Sequence, residues 1–369
     1  MSYFPTRPAD LFWNFSQEPE VDAPQGFGDL APWNRGGLQK WGLCESLLTR
    51  SQACRHHDPE QMVLLAERAS AIAADLDPLA YGPELTADLR ARCFAELGNA
   101  YRVADDVEAA ERALRRAGEE SAQGTLDSLL LARIMDLTAS LRGAQRRFGE
   151  ALELLDAVYQ LYERHGDRHN AGRALISKGL YTGYDNDPEE AVRLLSVGLT
   201  LIHPASDPKL VISAVHNLIT FLADGGRFRE AQRLLRRTRP YYYAEGDHLN
   251  LIKLRWLEGK IAAGLGRLPS AERSLLQARQ ELEGAGLYYH AAVASLDLAA
   301  VWLSQGKSAE TRALVENLVA TFRARRIARE SLAALVLLKE ALDLDRAEPI
   351  ALLRAVSRFL KGSRQALAH

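Results

Sequence analysis

The sequence predicts an all-α fold in which about seven helical hairpins follow one another along the chain. Three observations lead to this prediction. One small residue returns at a nearly constant interval, turn signals precede each return, and glycine recurs at one fixed distance before it. Such regularity is typical of repeat proteins, in which each unit packs only on its neighbours.

The recurring small residue is first clear at Ala110, with Leu114 four positions later. The same pair recurs as Ala151 with Leu155, Ala191 with Leu195, Ala231 with Leu235, Ala271 with Leu275, and Thr311 with Val315. A looser copy starts at Ala351, where Leu353 is the nearest large aliphatic residue. Successive intervals are 41, 40, 40, 40, 40 and 40 residues. We expect each small residue to open the second helix of a hairpin and to face a neighbouring helix.

Helix stop and start signals precede these positions by a few residues. They are Asp105-Asp106, Arg147-Phe148-Gly149, Asn186-Asp187-Pro188, Gly225-Gly226-Arg227-Phe228, Gly266-Arg267-Leu268-Pro269 and Gln305-Gly306-Lys307. Pro188 and Pro269 suit the first turn of a helix, where a missing N–H costs no hydrogen bond. Glycine-containing stretches at 165–167, 245–247 and 283–286 are expected to end second helices.

One hairpin carries a set of small, aliphatic and aromatic residues at a recognisable spacing: Phe94, Leu97, Gly98, Tyr101, Ala110, Leu114 and Ala117. This set resembles the tetratricopeptide repeat pattern, with Phe94 where Trp is commonest. Gly179 and Gly259 lie, like Gly98, twelve residues before the recurring small residue. A small residue there lets two helices approach closely. The period of 40 exceeds the ~34 of that family, so we expect longer helices.

We divide the chain into four parts. They are an aromatic and proline-rich N-terminal arm at 1–35, an atypical first hairpin and connection at 36–85, the repeat array at 86–325, and a C-terminal capping hairpin at 326–369. In the first hairpin, Asp58-Pro59 resembles Asp187-Pro188, which makes Met62 the equivalent of the recurring small residue. The arm either packs on the array or engages a partner.

Composition narrows the class of protein. Lys and Arg number 46 and Asp and Glu 48, so the net charge is −2 and direct binding to nucleic acid is not expected. The three cysteines Cys44, Cys54 and Cys93 form no C-x-x-C pair, which favours a reducing compartment. No stretch approaches the ~20 apolar residues that span a membrane. A cytoplasmic protein is therefore expected.

The family resemblance implies a right-handed superhelix whose concave face is lined by the first helix of each hairpin. Transferring the family's groove positions to this sequence gives the candidate partner-binding residues Arg92, Asn99, Arg102, Arg133, Asp136, Arg173, His216, Asn217, Lys253, Trp256 and Lys260. The cations among them predict a basic groove that grips a protein or an extended, acidic peptide. Alternatively, they pair with neighbouring carboxylates or are simply solvated. Trp256 would serve as a contact anchor or as part of the core.

No catalytic or cofactor motif is present, so neither an enzyme nor a cofactor is expected. The run Cys54-Arg55-His56-His57-Asp58 lacks the second ligand cluster that a zinc site needs. Three hypotheses remain open: a scaffold or regulator that captures a protein segment, a sensor of a signalling peptide, and an accessory subunit of a separately encoded enzyme such as a protease or a defence effector.

Overall fold

The computed structural model describes residues 35–55, 58–205, 207–324, 335–336, 338–339, 342 and 349–361. Its helices, in chain order, are α1 Arg35–Cys54, α2 Pro59–Ala74, α3 Pro78–Tyr81, α4 Pro83–Val103, α5 Val107–Ser121, α6 Ser128–Ala144, α7 Phe148–Arg164, α8 Arg168–Tyr184, α9 Pro188–Leu201, α10 Pro208–Asp224, α11 Phe228–Glu245, α12 His248–Gly264, α13 Leu268–Gly284, α14 Tyr288–Ser304, α15 Ser308–Ala324 and α16 Pro349–Lys361. Within these residues the fold is all-α, as the sequence predicts.

The 40-residue period arises from helices of 17 residues joined by short turns. Helices α6, α7, α8, α10, α12, α13, α14 and α15 each contain 17 residues. The turn inside a hairpin has one residue in the left-handed region, two positions before the next helix begins. These residues are Asp105, Arg146, Asn186, Gly226, Gly266 and Gly306, with φ between 60° and 78°. The six turns therefore share one backbone path, which keeps the repeat in phase.

The recurring small residues are buried, as predicted. Ala110, Ala151, Ala191, Ala231, Ala271 and Thr311 are all 0% exposed. Met62, their expected equivalent in the first hairpin, is also 0% exposed. The prediction for Ala351 is wrong, because this residue is exposed while Leu353 is buried. The burial pattern of α16 is therefore shifted by two residues relative to the other second helices.

Three glycines show why a small residue is needed on the first helix. A Cβ atom built on Gly98 would lie 2.6 Å from Cγ of Leu114, and one on Gly259 would lie 2.7 Å from Cγ of Leu275. At Gly179 the same atom would lie 2.9 Å from Cγ of Leu195. These separations are shorter than packed carbon atoms allow. Each leucine therefore occupies space that a larger residue on the facing helix would need.

Aspartate caps begin several helices. The Asp58 side chain accepts a hydrogen bond from the Gln61 N–H at 2.9 Å, and Asp187 accepts one from the Glu190 N–H at 3.0 Å. Both are followed by proline at the first helical position, which confirms the resemblance between these two turns. Such a cap satisfies a donor that the helix itself cannot pair.

The chain forms two compact units: unit 1 comprises residues 1–143 and 149–174, and unit 2 comprises 144–148 and 175–369. In unit 1 the fully buried side chains include Leu48 and Leu89. In unit 2 they include Ile212 and Phe322. Apart from Arg35, which begins α1, the predicted N-terminal arm lies outside the described residues, as does most of the first helix of the C-terminal hairpin. Among the described residues, no helix is both long and apolar enough to cross a membrane.

Candidate functional site

Unit 1 contains a pocket of about 550 Å³ lined mainly by the first helices of four successive hairpins. These helices are α1, α4, α6 and α8, and Tyr162 from α7 also contributes. The predicted residues Arg92, Arg133, Asp136 and Arg173 all line it. Side chains 81 positions apart in the sequence are thus brought to one pocket by the repeat.

The lining of this pocket is mixed in charge rather than uniformly basic. Its carboxylates are Glu45, Asp88, Glu96, Asp127 and Asp136. Arg92 pairs with Glu45 at 3.0 Å, and Arg133 pairs with Glu96 at 2.8 Å. The side chain of Glu96 is only 4% exposed, so this second pair is held in a poorly solvated place. Burial alone would lower the pKa of Arg133, but Glu96 and Asp136 outweigh burial and raise it.

Three arginines of unit 1 act on a fourth through their positive charges. Arg55 follows α1, and its pKa is lowered to about 10, first by burial and then by the charges of Arg102, Arg133 and Arg173. Asp136 opposes this effect but does not cancel it. Within the described residues, the side chain of Arg55 makes no hydrogen bond or ion pair. We call Arg55, Arg102, Arg133 and Arg173 the arginine cluster.

Unit 2 contains a smaller pocket of about 120 Å³, lined only by the first helices α8, α10, α12 and α14. The predicted residues His216, Asn217, Lys253, Trp256 and Lys260 all line it. Its remaining residues are Tyr184, Thr220, Phe221, Leu257, His290 and Val293. The described residues of this lining have aromatic, aliphatic and basic side chains, and none of them is a carboxylate.

Two of the polar groups in this smaller pocket are held by acids that lie outside its lining. Lys260 forms an ion pair with Asp224. The indole N–H of Trp256 donates a hydrogen bond to Asp297 at 2.7 Å, which fixes the orientation of the ring. Lys253 differs from both. Burial lowers the pKa of Lys253, and Asp247 only partly opposes that effect.

Two predicted residues line neither pocket. Asn99 is only 3% exposed, and its side-chain oxygen accepts a hydrogen bond from Arg102 at 2.9 Å. Asn99 therefore positions the side chain of Arg102 and is itself too buried to contact a partner. The sequence interpretation missed Arg55, which had been considered only as part of the Cys54 to Asp58 run. In that run, His56 and His57 lie outside the described residues, and no group suited to a metal ion occurs among the described ones.

No protein-family model and no curated protein matches the sequence significantly. Solved structures do match. A Rap protein complexed with Competence and Sporulation Factor has a TM-score of 0.65 and 12% identity, covering 88% of this chain and 87% of that one. NprR in complex with its cognate peptide NprX has a TM-score of 0.60 and 14% identity, covering 84% and 86%.

A third similar structure is a signal transduction ATPase from Pyrococcus horikoshii, described as having a tetratricopeptide repeat sensor. Its TM-score is 0.55 at 15% identity, and the match covers 82% of this chain and 44% of that one. Identities this low establish the fold alone. The chain therefore has a tetratricopeptide-like helical repeat fold, as its residue pattern predicts.

Proposed function

We propose that this protein is a non-catalytic regulator that captures an extended peptide or a protein tail along the first helices of its hairpins. The observation that carries the proposal is the arginine cluster beside the 550 Å³ pocket of unit 1. Burial, and after it the charges of Arg102, Arg133 and Arg173, lower the pKa of the fourth member, Arg55, to about 10, so part of the lowering is repulsion between like charges. An anionic group would relieve this repulsion by pairing with the guanidinium groups.

The mixed lining of the pocket supports an extended peptide as the ligand. The pocket offers carboxylates as well as arginines, and Asn170 and Tyr162 add uncharged polar groups. Peptide backbones present both donors and acceptors, so a lining of both kinds can pair with them. Two of the structurally similar proteins, Rap and NprR, were solved with a peptide or signalling factor bound. Capture of a peptide signal is therefore the form of the proposal that we favour over a purely structural scaffold.

The experiment uses the full-length protein to select binders from a displayed library of random peptides. Selected peptides are then titrated against the wild type, Arg55→Glu and Arg115→Glu. Arg55 forms no ion pair among the described residues, so its replacement leaves the internal pairs of unit 1 in place. Arg115 is an exposed residue of the second helix α5 and serves as the matched control.

We expect the selected peptides to be enriched in acidic residues and to bind Arg55→Glu at least about tenfold more weakly than the wild type. Arg115→Glu should bind them as the wild type does. Equal binding by all three proteins would place the peptide site elsewhere. A selection that yields no peptide above background would contradict peptide capture itself.

A further inference from the structure

The small pocket of unit 2 contains a half-buried charge, that of Lys253, for which the described residues provide no ion pair. Within the described residues, no hydrogen bond or ion pair involves the side chain of Lys253. Asp247 influences it only through space, and burial still lowers its pKa. A half-buried ammonium without a partner is costly, because the protein replaces only part of its hydration.

The other charged groups around the pocket do not supply the missing partner. The nearby Lys260 is already paired with Asp224. Asp297 is engaged by the Trp256 indole. Among the described residues, the lining itself contains no carboxylate. A ligand that carries a negative charge would therefore meet an open partner in Lys253, with His216 and Asn217 as further polar groups on the neighbouring helix.

The rest of the lining favours a ligand whose negatively charged group is attached to an apolar group. Trp256, Phe221, Leu257 and Val293 provide aromatic and aliphatic surface. The volume of about 120 Å³ is enough for a branched aliphatic group of a few carbons, since cavities of about 150 Å³ hold benzene. A fully hydrated inorganic anion would leave this apolar surface uncovered.

From this geometry we infer that the unit 2 pocket binds a carboxylate carried on a small apolar group, with Lys253 as its counter-ion. The source of the carboxylate is either a free organic acid or the C-terminal residue of a peptide. The inference goes beyond peptide capture by unit 1, because a free acid would bind this pocket whether or not the arginine cluster binds a peptide.

The test is isothermal titration of the full-length protein with N-acetyl-leucine, N-acetyl-leucine amide and inorganic phosphate. We expect the acid to bind, and the amide and phosphate to bind at least about tenfold more weakly. A second arm adds a peptide ending in a free leucine carboxylate. Tighter binding of that peptide than of the acid would identify a peptide C-terminus as the source, whereas equal or weaker binding would indicate a free acid.

The matched variants are Lys253→Met and Lys209→Met. Methionine keeps most of the apolar stem of Lys253 and removes the charge, while Lys209 is an exposed lysine in the first turn of α10. Acid binding should weaken at least about tenfold in Lys253→Met and stay unchanged in Lys209→Met. Thermal unfolding of each variant checks that it is folded.

Three results would overturn the inference: no binding of the acid to the wild type, equal binding of acid and amide, or undiminished binding by folded Lys253→Met. Tighter binding of phosphate than of the acid would also overturn it, because a general anion site does not use the apolar lining. None of these results bears on peptide selection at the arginine cluster, which is measured with a different probe.

Discussion

The two pockets are built from equivalent helices but handle charge in opposite ways. In unit 1, the buried Glu96 pairs with Arg133 at 2.8 Å and raises its pKa. In unit 2, the only carboxylate among the described residues that acts on Lys253 is Asp247, without an ion pair, and burial lowers the pKa of Lys253. The same repeat geometry can therefore stabilise a buried charge internally or leave it for a ligand. Which of the two occurs depends on whether a neighbouring hairpin places a carboxylate within reach of the charged side chain.

The largest expected effect comes from breaking the internal pair of unit 1. Replacing Glu96 with Gln should lower the free energy of unfolding by about 3 kcal/mol, because Arg133 would lose its main partner and keep only the 3.4 Å pair with Asp136. Chemical denaturation measures this change. Glu119→Gln is the control, since Glu119 is 52% exposed and pairs with Arg116 only at 3.4 Å. Its effect should be near zero. Equal effects of the two substitutions would show that the Glu96 pair contributes no special stability.

A second prediction concerns the close contact between the two helices of a hairpin, which occurs separately within each unit. Gly98→Ala in unit 1 and Gly259→Ala in unit 2 should each destabilise by about 2 kcal/mol, because the added methyl group overlaps a buried leucine. Gly118 provides the control: it lies in helix α5, and a Cβ atom there would meet nothing within 4 Å. Gly118→Ala should stabilise by about 0.5 kcal/mol through helix propensity. Stabilisation by all three substitutions would refute the tight contact.

A third prediction reverses the sign seen at Glu96. Lys253→Met should raise the free energy of unfolding by about 1 kcal/mol, because it removes a partly buried charge that forms no ion pair with the described residues. Lys209→Met, at an exposed position, should leave stability unchanged. Thermal or chemical unfolding of the ligand-free protein distinguishes the two. A clear loss of stability in Lys253→Met would mean that the ammonium contributes to folding rather than to binding.

The smallest expected effect is the pH dependence of the difference in stability between Lys253→Met and the wild type. The pKa of Lys253 is below its ordinary value of 10.5, so in the unfolded chain this residue holds its proton more tightly than in the folded protein. The destabilisation is therefore complete below the folded pKa and is relieved as the pH rises through it towards 10.5. The stability difference between Lys253→Met and wild type should shrink across that window.

Other titratable groups line the same pocket, namely Tyr184, His216, Lys260 and His290. They are present in both proteins, so subtracting the two stability curves isolates Lys253. A difference that stays constant, or that grows with pH, would contradict the lowered pKa.

Much of the fold could be predicted because the register of each helix depends on residues that are close together in the sequence. The buried Ala191 and Leu195, for example, are separated by one helical turn, and each turn signal lies near the residues it positions. The prediction failed at Ala351, where the pattern was already weak and Leu353 occupies the buried position. Where the last repeat departs from the common pattern, the nearby sequence no longer indicates which residues face the core.

The positions of the candidate site residues followed from the repeat, but their charge partners did not. Arg133 meets Glu96, 37 positions earlier, and Arg92 meets Glu45, 47 positions earlier. Such partners depend on how successive hairpins stack, and one turn of difference would exchange one neighbour for another. For the same reason the sequence could not distinguish Lys253, which has no such partner among the described residues, from Lys260, which has one. The repeat pattern did not predict Arg55 as a site residue, because Arg55 follows the end of α1 and so occupies no repeat position from which the orientation of its side chain could be inferred.

The most direct test of peptide capture is to locate a bound peptide by site-specific photocrosslinking. p-Benzoyl-phenylalanine replaces Leu129, a 39% exposed residue of the unit 1 pocket, or Arg115 on the second helix α5. A library-selected peptide should crosslink to the protein substituted at position 129 and not to the one substituted at 115. Crosslinking at 115 with none at 129 would contradict capture along the first helices.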